Sequence, residues 1–122
     1  MKILVVDDSR IMRSIVKNTL KTMYDVDEGF IEASNGEEAF TVLENNRIDL
    51  MLLDWNMPIL NGIDLVRKLR GMAEFKNLPI IMVTSEAAKY NVIEAVKAGV
   101  NDYLVKPVTE KNLYEKVKKF LD

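Results

Sequence analysis

Short apolar runs alternate along the chain with longer segments whose apolar residues recur every three or four positions. Most of these runs are apolar at every position, which is typical of strands covered by helices on both faces of a parallel sheet. The second run is weaker, since it contains Glu32, and it is expected at an edge of the sheet. The predicted strands are residues 3–6, 30–33, 50–53, 80–83 and 103–105.

The segment after the first run has the period of an amphipathic helix. Its apolar residues recur at steps of three and four, and its basic residues lie on the opposite face, where they are expected to be solvated. The apolar set is Met12, Ile15, Val16, Leu20 and Met23, and the basic set is Arg10, Arg13, Lys17 and Lys21.

Capping residues mark the ends of the other predicted helices. Ser34 followed three residues later by Glu37 forms a capping-box pattern, which opens the second helix. The fourth helix is predicted over about residues 87–98. The remaining caps are Asn61 and Gly71 around the third helix, Gly99 after the fourth and Thr109 before the fifth.

Five strands that alternate with five helices predict an α/β fold. The expected architecture is a (βα)5 doubly wound sandwich of three layers, with a parallel sheet in the order 2-1-3-4-5. Ligands of such sheets bind beyond the carboxyl ends of the strands, near the point where the strand order reverses. The residues directly after each strand are therefore the candidates for function.

Composition limits the chemistry that these candidates can use. The 122 residues include 17 Lys and Arg against 19 Asp and Glu, so a single domain over residues 1–122 is expected, with neither nucleic acid nor a membrane as partner. The chain has no Cys and no His, which excludes disulfides, thiol chemistry, general acid/base catalysis by His and imidazole metal sites. No long apolar stretch is present, and the expected location is the cytoplasm.

Three carboxylates follow two neighbouring strands of the predicted sheet. Asp7 and Asp8 come after the first strand, and Asp54 comes after the third. Carboxylates held close together repel each other, and a divalent cation relieves that repulsion. Oxygen ligands suit Mg²⁺, for which Mn²⁺ is expected to substitute. The alternative is that Asp7 or Asp8 caps the first helix and that Asp54 is a polar loop residue.

A lysine and two hydroxyl groups follow the last two strands. Lys106 is a point charge of the kind that holds a phosphoryl oxygen. The sequence leaves the isomer of the bond to Pro107 open between the trans default and a cis bond, which would turn the chain sharply at the site. Thr84 is placed to donate to a phosphoryl oxygen, whereas Ser85 is at least as well explained as the cap of the fourth helix. Together with the carboxylates, these groups supply what phosphoryl transfer to an aspartate needs.

The whole chain resembles the receiver domains of two-component response regulators, which have a flavodoxin-like fold. It is most similar to the stand-alone chemotaxis regulators. The motifs that carry the resemblance occur in the family's order and spacing. They are Asp7-Asp8, Asp54-Trp55-Asn56-Met57-Pro58, Asn61-Gly62, Thr84, Tyr103 and Lys106-Pro107.

The resemblance implies a switch that is activated by phosphorylation. Asp54 would accept a phosphoryl group from a histidine kinase, and the face made by the fourth helix, fifth strand and fifth helix would then change its partner binding. The protein would be a phosphoacceptor that assists its own phosphorylation and dephosphorylation, not an enzyme in the usual sense. The implied metal ligands are Asp7 (through water), Asp8, Asp54 and the backbone carbonyl of Asn56, with Lys106 and Thr84 on the phosphoryl group and Thr84 and Tyr103 as the switch.

The same resemblance implies the partners. They are a histidine kinase, a downstream target such as the flagellar motor switch, and a phosphatase, with the protein itself a monomer. Val108 and Asn61 depart from residues common in chemotaxis regulators, which leaves the target open. A phosphorelay intermediate and a receiver domain cut from a larger regulator are the alternatives within the family.

Proteins of other classes fit the sequence less well. A Mg²⁺-dependent aspartyl phosphohydrolase commonly has a second Asp two positions after the nucleophile, where this chain has Asn56. A flavin carrier needs a hydroxyl- and glycine-rich phosphate loop after the first strand, where Asp7 and Asp8 would repel phosphate. A module that is never phosphorylated would not need the complete set of site residues.

Overall fold

Five parallel strands form one sheet in the computed structural model, which describes residues 2–24, 29–85 and 89–121. The strand order is β2-β1-β3-β4-β5, as predicted, and the weaker second run lies at an edge. Each predicted strand agrees with the observed one to within a residue at either end. The strands are β1 (Ile3–Val6), β2 (Phe30–Ala33), β3 (Leu50–Asp54), β4 (Ile80–Thr84) and β5 (Asp102–Val105).

Helices connect the strands in the predicted order. They are α1 (Arg10–Lys21), α2 (Gly36–Asn45), α3 (Gly62–Arg70), α4 (Lys89–Ala98) and α5 (Glu110–Leu121), with a short 3-10 helix at Ala73–Phe75. The predicted start of the fourth helix lies outside the described residues, but its predicted end at Gly99 is confirmed. Gly99 has a φ of 113°, a backbone conformation that favours glycine.

The helix caps follow the sequence with one exception. Asn61 accepts from the backbone N–H of Asp64 at 3.0 Å, and Thr109 caps α5 in the same way. The capping box at Ser34 is wrong, because α2 begins one residue later than that pattern requires. Asn35 is the N-cap and accepts from the N–H of Glu38 at 2.9 Å, while the Ser34 hydroxyl donates to the Glu38 carboxylate.

The sheet is covered on both faces, as its apolar runs predict. Residues of one parity along the strands pack against α1 and α5 in a core that includes Val5, Leu52 and Leu104. Residues of the other parity pack against the layer of α2, α3 and α4. Each candidate side chain at the end of a strand therefore lies on the same face of the sheet as the residue two positions before it.

The apolar stripe of α1 is rotated from the predicted one. Val16 and Leu20 are buried, whereas Ile15 is exposed. At about 100° per residue, Ile15 lies about 100° from Val16, but Arg13 lies only about 60° from it. Arg13 is therefore beside the buried stripe and not on a solvated basic face. Among the residues that the structure describes, no helix combines the length and the apolar character that crossing a bilayer requires.

Candidate metal centre

The predicted site residues lie at one edge of the sheet. Asp54 and Thr84 are the last residues of β3 and β4, while Asp7 and Lys106 directly follow β1 and β5. β1 and β3 are neighbours, and their register pairs Val6 with Leu53. The parallel strands thus present their carboxyl ends to the same side, as the fold rule requires.

Asp7, Asp54 and Lys106 point to the same face of the sheet. They continue the parity of the residues two positions before them, which belong to the core under α1 and α5. The Lys106 Nζ lies 3.3 Å from Asp7 Oδ2 and 3.4 Å from Asp54 Oδ1. One half-buried ammonium group therefore bridges two carboxylates that are 6% and 7% exposed.

Three carboxylates form a group that can hold a cation. Asp7, Asp8 and Asp54 each offer an oxygen, and these oxygens lie within 4.8 Å of one another. Asp8 is exposed, whereas the other two are buried, so the group opens to solvent on one side. An oxygen-only set with an open side fits Mg²⁺, which keeps several of its waters.

The charges of the cluster are not balanced within it. Burial, with the nearby charge of Asp7, raises the pKa of Asp54 to about 6, and Lys106 offsets only part of this. Burial lowers the pKa of Lys106, but the carboxylates of Asp54 and Asp7 raise it more, and the net shift is upward. The ammonium group stays charged, and a further cation would stabilise the ionised form of Asp54.

Neither acidic residue of the pair caps α1. Ser9 is the N-cap, and its hydroxyl accepts from the N–H of Met12 at 3.2 Å. Asp7 Oδ1 instead accepts from the N–H of Ser9 at 2.8 Å. The capping alternative is therefore wrong, and the carboxylate of Asp8 remains available at the open side of the cluster.

Glycine lets the loop after β3 pack closely against the site. A Cβ on Gly62 would overlap the backbone oxygen of Asp54, and the Gly62 N–H donates to the Trp55 oxygen at 2.8 Å. Trp55 is partly buried against the core, and Asn56 is exposed beside it. Gly36 makes a similar close contact that the sequence does not predict, since a Cβ there would overlap Leu60.

Thr84 and Tyr103 lie on the other face of the sheet. Thr84 is fully buried at the end of β4, where its register partner is Val105. Tyr103 is two residues before Val105, so it is a diagonal neighbour of Thr84 on the same face. The Tyr103 ring packs against the core of the α2, α3 and α4 layer. The structure thus brings together the two residues that the resemblance names as a switch.

Two further expectations concern the loops after β4 and β5. The bond between Lys106 and Pro107 is cis, which is the less common of the two isomers that the sequence left open. The isomer of such a bond depends on tertiary context, which a single sequence does not contain. Ser85 is exposed, and whether it caps the fourth helix lies outside the described residues.

The contacts of Arg13 are not predicted by the sequence pattern. Its Nη1 donates to the backbone oxygen of Asp7 at 2.7 Å, and its Nε is paired with Glu32 at 3.0 Å. The signal for them is the angular position of Arg13, which lies three residues before Val16 at the border of the buried stripe of α1. The side chain therefore connects α1, the end of β1 and the edge strand β2.

Comparison with known proteins agrees with this geometry. The model of the response regulator receiver domain family matches residues 3–118. The chain is 51% identical to the chemotaxis protein CheY1 of Helicobacter pylori (strain ATCC 700392 / 26695) over 119 residues, which cover 96% of this chain and 94% of that protein.

Solved structures of similar proteins have the same fold. The chemotaxis protein CheY4 of Vibrio cholerae is 30% identical, with a TM-score of 0.87 and coverage of 98% of this chain and 97% of that one. The receiver domain of the sensor histidine kinase PA1611 of Pseudomonas aeruginosa PAO1 is 26% identical, with a TM-score of 0.85 and coverage of 98% and 96%. The latter structure has a magnesium ion coordinated in its active-site cleft.

Proposed function

The chain belongs to the response regulator receiver domain family, and from this premise we propose that it is a chemotaxis response regulator switched by phosphorylation of Asp54. The observation that carries the proposal is the bridge from Lys106 to Asp7 and Asp54, with Asp8 within reach of both. A buried carboxylate beside a fixed ammonium group and an open cation site is suited to accept a phosphoryl group.

The proposed reaction is a displacement at phosphorus. An oxygen of the Asp54 carboxylate attacks the phosphoryl group on a histidine of the kinase, the P–N bond breaks, and the imidazole leaves with its electron pair. Asp7 (through water), Asp8, Asp54 and the backbone carbonyl of Asn56 would hold Mg²⁺ or Mn²⁺, which supplies charge neutralisation to the phosphoryl oxygens. Lys106 and Thr84 would donate to those oxygens.

The proposed output is a movement and not a change of surface charge. A phosphoryl group held by Lys106 and a metal presents little charge to a distant partner. Thr84 can follow the new acceptor oxygens, and its inward movement would make room for the diagonal neighbour Tyr103. The face of α4, β5 and α5 would then change its affinity for a target.

The relatives suggest the pathway. CheY1 of Helicobacter pylori is named as a chemotaxis protein, and chemotaxis is accordingly the pathway that we propose here. The partners would be a histidine kinase, a target at the flagellar motor and a phosphatase. We further propose that residues 1–122 act as one monomeric receiver unit in the cytoplasm, where the kinase has ATP.

Incubation with acetyl phosphate and Mg²⁺ tests the proposal directly. Mass measurement should show one added phosphoryl group, which is lost in Asp54→Asn and in the absence of Mg²⁺. Asp64→Asn is the matched control, since it makes the same change at an exposed position on α3 and should be labelled like the wild type. Full labelling of Asp54→Asn would contradict the assignment. Continuous release of phosphate without a lasting adduct would favour a phosphohydrolase instead.

A further inference from the structure

Every polar group of Asp7 has a defined partner. Its N–H donates to the Ala33 oxygen at 3.1 Å, and its Oδ1 accepts from the N–H of Ser9 at 2.8 Å. Its Oδ2 faces Lys106 at 3.3 Å. The remaining group is the backbone oxygen, which accepts from Arg13 Nη1 at 2.7 Å, the shortest of these four distances.

The contact between Arg13 and the backbone oxygen of Asp7 can affect both carboxylates of the acidic pair. This oxygen belongs to the peptide unit between Asp7 and Asp8, so its orientation sets the directions in which both carboxylates leave the backbone. Arg13 itself is fixed from the other side, because its Nε is paired with Glu32 at 3.0 Å and its side chain is only 15% exposed. The two contacts use the rigid fork of the guanidinium group, which a lysine does not have.

A positive charge at this place is otherwise unfavourable for a cation site. Coulomb repulsion between a guanidinium group and Mg²⁺ weakens metal binding, so the charge alone would lower the affinity of the cluster. Any increase in metal affinity that Arg13 provides must therefore come from geometry. Groups that orient metal ligands commonly change metal affinity by about 10- to 100-fold.

We infer that Arg13 is a positioning residue of the metal site, which holds the peptide between Asp7 and Asp8 so that both carboxylates face the cation. The inference rests on the proposed function, since it requires that the cluster binds Mg²⁺. It assigns Arg13 no contact with the metal or the phosphoryl group. Charge and positioning predict opposite results when the guanidinium group is removed, and a binding measurement therefore separates them.

The test is a Mg²⁺ titration of Arg13→Met followed by the fluorescence of Trp55, the only tryptophan in the chain. Methionine keeps an apolar stem beside Val16 but removes both polar contacts. We expect the dissociation constant to rise about 10-fold. Arg13→Gln serves as a second variant with the same expected direction if Arg13→Met does not fold. Arg13→Lys, which keeps a charged donor, should restore part of the affinity.

Two controls separate positioning from charge and from stability. Arg10→Met removes the same charge from an exposed position on α1 and should leave the affinity unchanged or slightly increased. Glu32→Gln removes the outer charge but keeps an amide oxygen that can accept from Arg13 Nε, and it leaves the contact with Asp7. It should therefore lower the melting temperature without weakening Mg²⁺ binding. The melting temperatures are measured without metal.

Three results would overturn the inference. Unchanged or tighter Mg²⁺ binding by Arg13→Met would show that the contact does not orient the cluster. An equal loss of affinity in Glu32→Gln would assign the effect to the ion pair with β2. A wild type whose fluorescence and melting temperature do not respond to Mg²⁺ would remove the metal site itself, and with it the proposed mechanism. This last failure is distinguishable because it does not involve Arg13.

Discussion

Asp54 is held in surroundings that resist its ionisation. Its pKa is raised from 3.8 to about 6, chiefly by burial and also by the charge of Asp7, although Lys106 acts in the opposite direction. At neutral pH the group is ionised nonetheless, and the metal-free fold therefore carries an electrostatic cost. Ligands that neutralise this charge should stabilise the fold, which couples binding at the site to the stability of the chain.

The raised pKa predicts how stability depends on pH. Because the folded pKa exceeds the unfolded one, the folded state binds more protons between pH 4 and 6, and the free energy of unfolding falls as pH rises through that window. The two pKa values imply a loss of about 3 kcal/mol, complete near pH 7. Asp54→Asn should lack this loss and be more stable than the wild type at pH 7 in metal-free buffer.

Urea unfolding at pH 4, 5, 6 and 7 in the presence of EDTA measures this difference. The advantage of Asp54→Asn over the wild type should grow with pH across the series. Asp64→Asn, at an exposed position, should follow the wild type. A constant difference between Asp54→Asn and the wild type would contradict the raised pKa.

The conformation of the loop between β3 and α3 depends on close contacts between backbone atoms. Gly62 packs directly on the backbone of Asp54. Ile59 has a φ of 72°, and the N–H of Leu60 donates to the Pro58 oxygen at 2.8 Å, which makes a tight turn around it. Ile59 is also 72% exposed. The loop that follows Asp54 is therefore closely packed at its α3 end and strained at Ile59.

Gly62→Ala should disturb the site through this close contact. The new Cβ would meet backbone and not a flexible side chain, so the loop must shift, at a cost of about 1–3 kcal/mol. Gly71→Ala is the matched control, because its Cβ meets only ordinary contacts and its φ of −77° suits any residue. That variant should be neutral or stabilised by up to about 1 kcal/mol. Equal stability of the two variants in urea unfolding would refute the argument.

Ile59→Asn should stabilise the fold although it removes an apolar side chain. A β-branched residue at positive φ costs about 1–2 kcal/mol, and Asn tolerates that conformation better. The exposed side chain has little burial to lose, and a gain of about 1 kcal/mol is expected in thermal or urea unfolding. Ile11→Asn, at a similarly exposed position of α1, should instead be neutral or slightly destabilised. Destabilisation by Ile59→Asn would show that the turn carries no such strain.

At the scale of the whole molecule, the sheet separates the carboxylate cluster from the two residues proposed as the switch. Asp54 and Lys106 share the face of α1 and α5, whereas Thr84 and Tyr103 lie on the opposite face. In the proposed mechanism, a change at the carboxyl edge would reach the second face through Thr84, the last residue of β4. Coupling between such sites is typically about 1–3 kcal/mol.

Thr84→Ala tests this route across the sheet. The variant should still accept a phosphoryl group on Asp54, but beryllium fluoride with Mg²⁺ should no longer shift the amide signals of residues 91–98 and 103–121 as it does in the wild type. Ser85→Ala removes the neighbouring exposed hydroxyl and should keep the full response. An undiminished response in Thr84→Ala would show that the coupling uses another group.

Local patterns in the sequence determined much of this molecule. Continuous apolar runs predict the strands, because a strand that is buried on both faces is apolar at every position. Three- to four-residue periods predict the helices, because a helix buries only one face. The order of these elements restricts the topology, and the position of Asp54 and Lys106 after strands then predicts a shared edge. Asn61 and Thr109 act as caps because capping involves residues that are close in the chain.

Tertiary structure alone decided the contacts between distant segments. Lys106 meets Asp7 across 99 positions of sequence, and its distance to the carboxylates depends on the pairing of four strands, β1, β3, β4 and β5. Arg13 joins the site only because packing sets the rotation of α1 and the edge strand supplies Glu32. The positive φ of Ile59 and the cis bond before Pro107 likewise depend on surroundings, because such states are unfavourable or rare until long-range contacts hold them.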